Sequence, residues 1–220
     1  MNDCHAFSFQ GHALCADPTG ALVWAAQGVL VVSDLHLGKS DRIARRSGRM
    51  LPPYETRATL DKLATCIDRY APSRVICLGD SFDDLDAADS LDDSDLLTLL
   101  RLQAGRDWIW IEGNHDAGPV RLGGRHLAAW TAGGLTFRHI AQAAATGEIS
   151  GHYHPKCGLP RGGTRPAFLI DAQRIILPAF GVYTGGLRGT HPALRALMAP
   201  DATAVLTGAR ALPVPFAVTC

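Results

Sequence analysis

Residues 29–36 read VLVVSDLH, an apolar run that stops at a carboxylate, Asp34, and an imidazole, His36, spaced one apart. A short run of this kind, rich in β-branched residues, reads as a strand. The same ending recurs in VICLGD (75–80), IWIEGNHD (109–116) and EISGHYH (148–154). In an open α/β sheet, ligands gather beyond the carboxyl ends of the strands, so each run delivers its polar residues to one place. Gly79, Gly113 and Gly151 precede those residues directly, where a missing side chain permits a sharp turn and close approach of backbone. One such ending is compatible with a strand stop, and a lone His152-Tyr153-His154 with an exposed polar loop. Four endings, each supplying Asp, Asn or His, point to a metal site.

Around these endings the chain alternates. ALVWAAQGVLVVSD contains two apolar runs broken at Gln27-Gly28, read as two strands and a tight turn. From Pro53 to Tyr70, Leu60, Leu63, Ala64 and Ile67 recur at three- and four-residue spacing, which predicts an amphipathic helix with Pro52 and Pro53 at its start. RVICLGD, a helix near Leu91–Leu102 and the run WIWIEGNHD complete a strand–helix–strand–helix–strand order, the α/β signature of parallel strands. After Gly124 the texture changes to RHLAAW, GLTFRHI, GEISGHYH, RPAFLID and RIILPAF, which predicts a second sheet or the antiparallel half of a sandwich. The stretch from His191 onward reads as a short helix and a hairpin.

The donor set has its own chemistry. Asp34 with His36, and His152 with His154, each present two side chains from one strand end, facing the same way if the backbone stays extended. A carboxylate such as Asp80 can bridge two cations. Imidazole, carboxylate and amide oxygen together suit Mn, Fe or Zn better than Cu(I) or Ca. Seven candidate ligands exceed one tetrahedral zinc, so a two-metal centre is the economical reading. Two cations about 3.5–4 Å apart can hold a bridging hydroxide and clamp phosphate oxygens for in-line attack. His115, between Asn114 and Asp116, is placed to protonate the leaving alkoxide.

Bulk composition limits the alternatives. With 220 residues, 47% of them hydrophobic, the chain can bury a substantial core as one domain spanning 1–220. Lysine plus arginine equals aspartate plus glutamate at 21 each, which excludes a global basic field for a polyanion; any nucleic-acid contact must come from a local patch. No stretch approaches the roughly 18–20 apolar residues of a membrane span, and the N-terminus lacks a leader pattern, so a soluble, cytoplasmic protein is expected. The six cysteines (4, 15, 66, 77, 157, 220) show no CxxC spacing and suggest reduced, mostly buried thiols.

Read in order, Asp34-Leu35-His36, Gly79-Asp80, Gly113-Asn114-His115-Asp116, a single His139 and Gly151-His152-Tyr153-His154 resemble the calcineurin-like metallophosphoesterase pattern. The resemblance implies a metal-dependent phosphoesterase with a four-layer α/β sandwich: two mixed β-sheets face to face, flanked by helices. It implies one metal held by Asp34, His36, Asp80 and His154, and another by Asp80, Asn114, His139 and His152, with His115 as an acid oriented by Asp116. Ile140 is a departure, since many members carry glycine after the single histidine. SDLHLGK, LPPYETRATL, LGDSFDD and LPAFGVYTGGL further resemble the bacterial branch associated with DNA ligase and helicase genes, described as DNA-damage-response endonucleases or phosphodiesterases. The expected cofactors are two divalent ions, manganese foremost, with iron, zinc or magnesium as alternatives. The expected substrate is a nucleic-acid or nucleotide diester. Competing readings are a phosphomonoesterase or nucleotide pyrophosphohydrolase with the same centre, and a non-catalytic scaffold for a ligase or helicase.

Three further features carry two readings each. Arg42, Arg45, Arg46 and Arg49 lie three or four apart; Arg45 and Arg46 either form a phosphate-binding wall or belong to a solvated basic face. Seven aspartates between 83 and 95 read mainly as solvated or helix-capping, with Asp83 and Asp84 close enough to Asp80 to stand apart. Tyr183 in GVYTGGL reads as a packing and turn residue or as a substrate contact.

Overall fold

A computed structural model describes residues 3–39, 54–83, 91–118, 122–158 and 163–219. The first sheet contains β1 (His5–Phe9), β2 (His12–Ala16), β3 (Leu22–Trp24), β4 (Val29–Val32), β5 (Arg74–Leu78), β6 (Asp107–Ile111) and β7 (Arg125–Leu127), hydrogen-bonded in chain order. β1 to β4 run antiparallel, and β4 to β7 run parallel. The second sheet contains β8 (Ala129–Ala132), β9 (Leu135–Arg138), β10 (Glu148–Ser150), β12 (Arg165–Ile170), β13 (Arg174–Ile176), β14 (Thr203–Leu206) and β15 (Leu212–Pro215). Its order is β15-β14-β12-β13-β10-β9-β8, with the short β11 (Lys156–Cys157) beside β12. The helices are α1 (Glu55–Tyr70), α2 (Asp93–Gln103) and α3 (Pro192–Leu197).

Strand periodicity explains the layers. Val29 and Val31, Ile76 and Leu78, Ile109 and Ile111 point to one face, where Phe137, Ile149, Phe168, Ile175 and Val205 of the second sheet meet them. The alternate residues Leu30, Val32, Val75, Cys77, Trp108 and Trp110 point the other way, onto Leu60, Leu63 and Ile67 of α1 and Leu99 and Leu102 of α2. The outer face of the second sheet packs Leu169, Ile176 and Ala204 against Leu194 of α3 and Phe216. Helices, sheet, sheet and helix therefore form four layers, as the resemblance implied. Both faces of β4, β5 and β6 are covered, which is why these strands are apolar without alternation.

The elements match the reading of the sequence with specific differences. The break at Gln27-Gly28 is a 3₁₀ turn closed by Gly28 at φ 60°, and Asp92 caps α2 by accepting from Ser94 N at 2.7 Å. RHLAAW is not one strand of the second sheet. It divides at Ala128, so that β7 extends the first sheet and β8 opens the second. The second sheet is mixed, because β10 runs parallel to both β9 and β13. The N-terminal hairpin β1–β2 is an element that sequence periodicity did not pick out.

That hairpin corrects the cysteine expectation. Cys4 precedes β1, and Cys15 lies opposite Ala6, so the ladder makes the two cysteines diagonal neighbours and they form a disulfide. A pair of cysteines 11 residues apart carries no recognisable spacing until the strands are paired. Cys66, Cys77 and Cys157 are free and buried, as expected.

Candidate metal centre

Five strand ends converge, one more than the four apolar runs predicted. β4 leads into Asp34 and His36, β5 into Asp80, β6 into Asn114 and His115, β9 directly into His139, and β10 into His152 and His154. Beyond the regular strands the β4 and β5 segments stay laced together: Asp34 N donates to Gly79 O (3.2 Å), His36 N to Asp80 O (2.9 Å) and Leu37 N to Ser81 O (2.9 Å).

The backbone bends sharply there. Asp34, His36, Asp80, His152 and His154 all have φ between 45° and 71°, the left-handed region that non-glycine residues rarely occupy. The paired side chains thus converge through strained turns and not through extended alternation. The preceding glycines are sterically required: an added Cβ would lie 2.5 Å from the His139 ring at Gly79, 2.2 Å from Asp80 N at Gly113 and 1.7 Å from Ser33 Oγ at Gly151.

The donors form two groups, Asp34 with His36 and His154, and Asp80 with His139 and His152. In the first, His154 Nε2 lies 3.1 Å from Asp34 Oδ1 and 3.4 Å from His36 Nε2. Asp34 is fully buried, yet its Oδ1 has no hydrogen bond despite the nearby ring nitrogen. Lone pairs aimed at one point without a donor between them are the geometry a cation satisfies. In the second group, His139 Nε2 lies 2.9 Å from Asn114 Oδ1, 3.2 Å from His152 Nδ1 and 3.4 Å from Asp80 Oδ2. The groups touch: Asp34 Oδ2 accepts from His152 N at 3.0 Å.

The far ring nitrogens are held by acceptors. His36 Nδ1 is 2.9 Å from Asp83 Oδ1, and His139 Nδ1 is 2.8 Å from Leu78 O. With the proton placed on Nδ1, each Nε2 keeps its lone pair for the shared point, the usual arrangement around a ligating histidine. Asp83 is therefore a buried partner of His36, which its position near Asp80 had hinted at. Ser33, whose hydroxyl donates to Asp34 Oδ2, was not anticipated; a polar residue closing an apolar run is the only signal it leaves.

Electrostatics agree with a cation-seeking cluster. Burial opposes ionisation of Asp34 and Asp80, but the imidazoles beside them, His154 at Asp34 and His139 at Asp80, outweigh it, holding both carboxyls below the ordinary range. Burial likewise opposes protonation of His139, but Asp80 and Asp34 outweigh it and raise that imidazole. His152 is lowered by its own burial and by the charge of His139.

Asp116 differs from expectation. Its carboxylate accepts from the backbone N–H groups of Asp80 (3.1 Å), Ser81 (2.7 Å), Phe82 (3.1 Å) and Gly113 (3.0 Å), tying the β5 and β6 turns together. The His115 ring is anchored instead by Asp83 O, 3.1 Å from its Nδ1. Its Nε2 sits 4.0 Å from Asp80 Oδ2, and the side chain is one-third exposed beside the donor groups. Tyr183 is 72% exposed at φ 57°, so it does not pack. Asp84, Arg42, Arg45, Arg46 and Arg49 lie outside the described residues.

Two face-to-face mixed sheets with imidazole and carboxylate donors collected where strands of both sheets end define a metal-dependent hydrolase. The sequence model of the calcineurin-like phosphoesterase family matches residues 28–175, and the chain belongs to that family. Its enzymatic class is metal-dependent phosphoester hydrolysis. The chain is similar to the crystal structure of Pseudomonas putida nuclease MPE, with a TM-score of 0.78 and 27% identity over 96% of this chain and 100% of that one. No curated protein matches it. Among the described residues, no helix is long and apolar enough to cross a membrane.

Proposed function

We propose that this protein is a phosphodiesterase or endonuclease that cleaves nucleic-acid or nucleotide diesters at a two-metal centre. One metal is held by Asp34, His36, Asp80 and His154, and the other by Asp80, Asn114, His139 and His152. The observation that carries the reading is the pair of abutting donor groups, with Asp83 and Leu78 O fixing the far nitrogens of His36 and His139. Likeness to a nuclease across nearly the whole chain supports a diester as substrate.

Two divalent cations would activate water and neutralise phosphoryl oxygens, and the mixed donor set favours manganese, with iron or zinc as alternatives. His115 Nε2, free of the Nδ1 contact to Asp83 O, donates a proton to the leaving oxygen. Asp116 positions Asp80 and Asn114 by gathering the four backbone amides of their turns. The link to DNA ligase or helicase partners and to DNA repair comes from the sequence resemblance.

The test measures metal content and the relative rates on a chromogenic diester and its monoester, with manganese supplied. Two metals per chain and a clear diester preference are expected. Preference for the monoester would replace the reading with a phosphomonoesterase, and two bound metals with no hydrolysis would replace it with a scaffold.

A further inference from the structure

A cleft of about 430 Å³ opens directly beside Asn114 and His139, within the roughly 300–1,000 Å³ typical of small-molecule sites. Ala117, Ala128, Ala129 and Ile140 make its apolar walls, and Ile140 is 43% exposed although the neighbouring His139 is buried. The chain holds His139 in place through Nδ1 on Leu78 O and through its own carbonyl, which accepts from Gly151 N at 2.9 Å. Ile140 follows this fixed point and lines the cleft.

The charges in the cleft select its occupant. Arg138 is the one cation that lines it among the described residues, and its Nε lies 3.3 Å from the fully buried Glu148. With the charge of Arg138 offset by the adjacent Glu148, and Glu112 also on the wall, the cleft has no net positive field to seat a phosphate. An uncharged ring with flat apolar faces and a hydrogen-bonding edge fits better. Gln142 supplies an exposed amide with both donors and acceptor, the complement such an edge requires. Asn114 and His139 belong to both the cleft and the donor groups, so a ring here can be tethered to a phosphate at the metals.

We propose that the cleft seats a nucleoside joined to the scissile phosphate, with Ile140 as the apolar platform for the base and Gln142 as the reader of its edge. The proposal rests on the diesterase reading and names where that substrate is recognised. It makes Ile140 and Gln142 specificity-determining residues, distinct from the metal-holding set.

Calorimetry on the manganese-loaded full chain tests this, with the four deoxynucleoside 5′-monophosphates, 2-deoxyribose 5-phosphate and inorganic phosphate as probes. At least one nucleotide is expected to bind about tenfold or more tighter than the sugar phosphate, a gap of about 1.4 kcal/mol. Ile140→Ser should erase that gap while metal content and phosphate affinity persist, and Ile140→Leu should restore it. Gln142→Ala should narrow the differences among the four bases. Equal affinity of the wild type for nucleotides and sugar phosphate overturns the proposal, as does an Ile140→Ser variant that weakens phosphate and nucleotides in parallel. Hydrolysis of a chromogenic diester by the same samples judges the diesterase reading separately. Activity without nucleotide preference removes the cleft proposal alone.

Discussion

The two donor groups share one strand end, that of β10, yet differ in their surroundings. Asp34, His36 and His154 have a second buried carboxylate behind them, because Asp83 holds His36. In the group of Asp80, His139 and His152, the far nitrogen of His139 is hydrogen-bonded to a main-chain carbonyl, and Asn114 opens that side to the cleft. In the proposed centre the first position would be electrostatically enclosed and the second would face the cleft. An ion at the first position should therefore be held more tightly, and one at the second should be more easily lost or exchanged.

The contrast can be broken most directly by removing the two histidines that share one turn. His154→Ala should empty the first position preferentially and His152→Ala the second, each taking the metal count from two toward one per chain. Loss of both metals from either variant, read by elemental analysis, would mean that the groups do not act as separate positions. Next in size is His115→Ala, expected to lower kcat on a diester about 10²–10⁴-fold with both metals retained. Unchanged turnover would remove His115 from the proton transfer.

A smaller effect concerns the support beneath the first group. Lys62 Nζ donates to Phe180 O at 2.8 Å, and Phe180 N donates to Ser33 O at 2.7 Å. Burial pushes the Lys62 ammonium down from 10.5 to about 8, so its charged form is disfavoured in the fold. This penalty is fully present below about pH 8 and is relieved as pH rises toward 10.5, where the unfolded chain also loses the proton. The difference in stability between wild type and Lys62→Met should change across that window by at most about 3 kcal/mol. A flat difference in denaturant unfolding would refute the assignment.

The finest probe is Asp83→Asn. It should weaken metal binding at the first position by about 10–100-fold and leave the second nearly unchanged. Equal weakening of both would erase the distinction between the enclosed and the open position.

The apolar runs and their polar endings were legible because both record one constraint: a strand buried on two faces that ends at a shared edge. His139 was not legible from that pattern, since LTFR alternates in burial and does not present a continuous apolar run. It came from the motif order, and β9 then accounts for it. The disulfide and the division of RHLAAW depend on which strands pair, a long-range choice that local periodicity does not encode. Asp116 illustrates a related gap. Its place beside His115 suggested the imidazole as partner, but the turn directs its carboxylate at four amides, three of them more than 30 residues away.

By itself the sequence determined the α/β layering and, with the motif resemblance, marked out the candidate donor residues and their order, because side-chain type and strand period are local properties. The division of those donors into two groups was implied by the motif resemblance; only the tertiary structure decided which acceptor holds each imidazole, and that a cleft opens beside one group. These outcomes require left-handed turns at Asp34, His36, Asp80, His152 and His154, and a turn of that kind is stable only when packing from both sheets holds it.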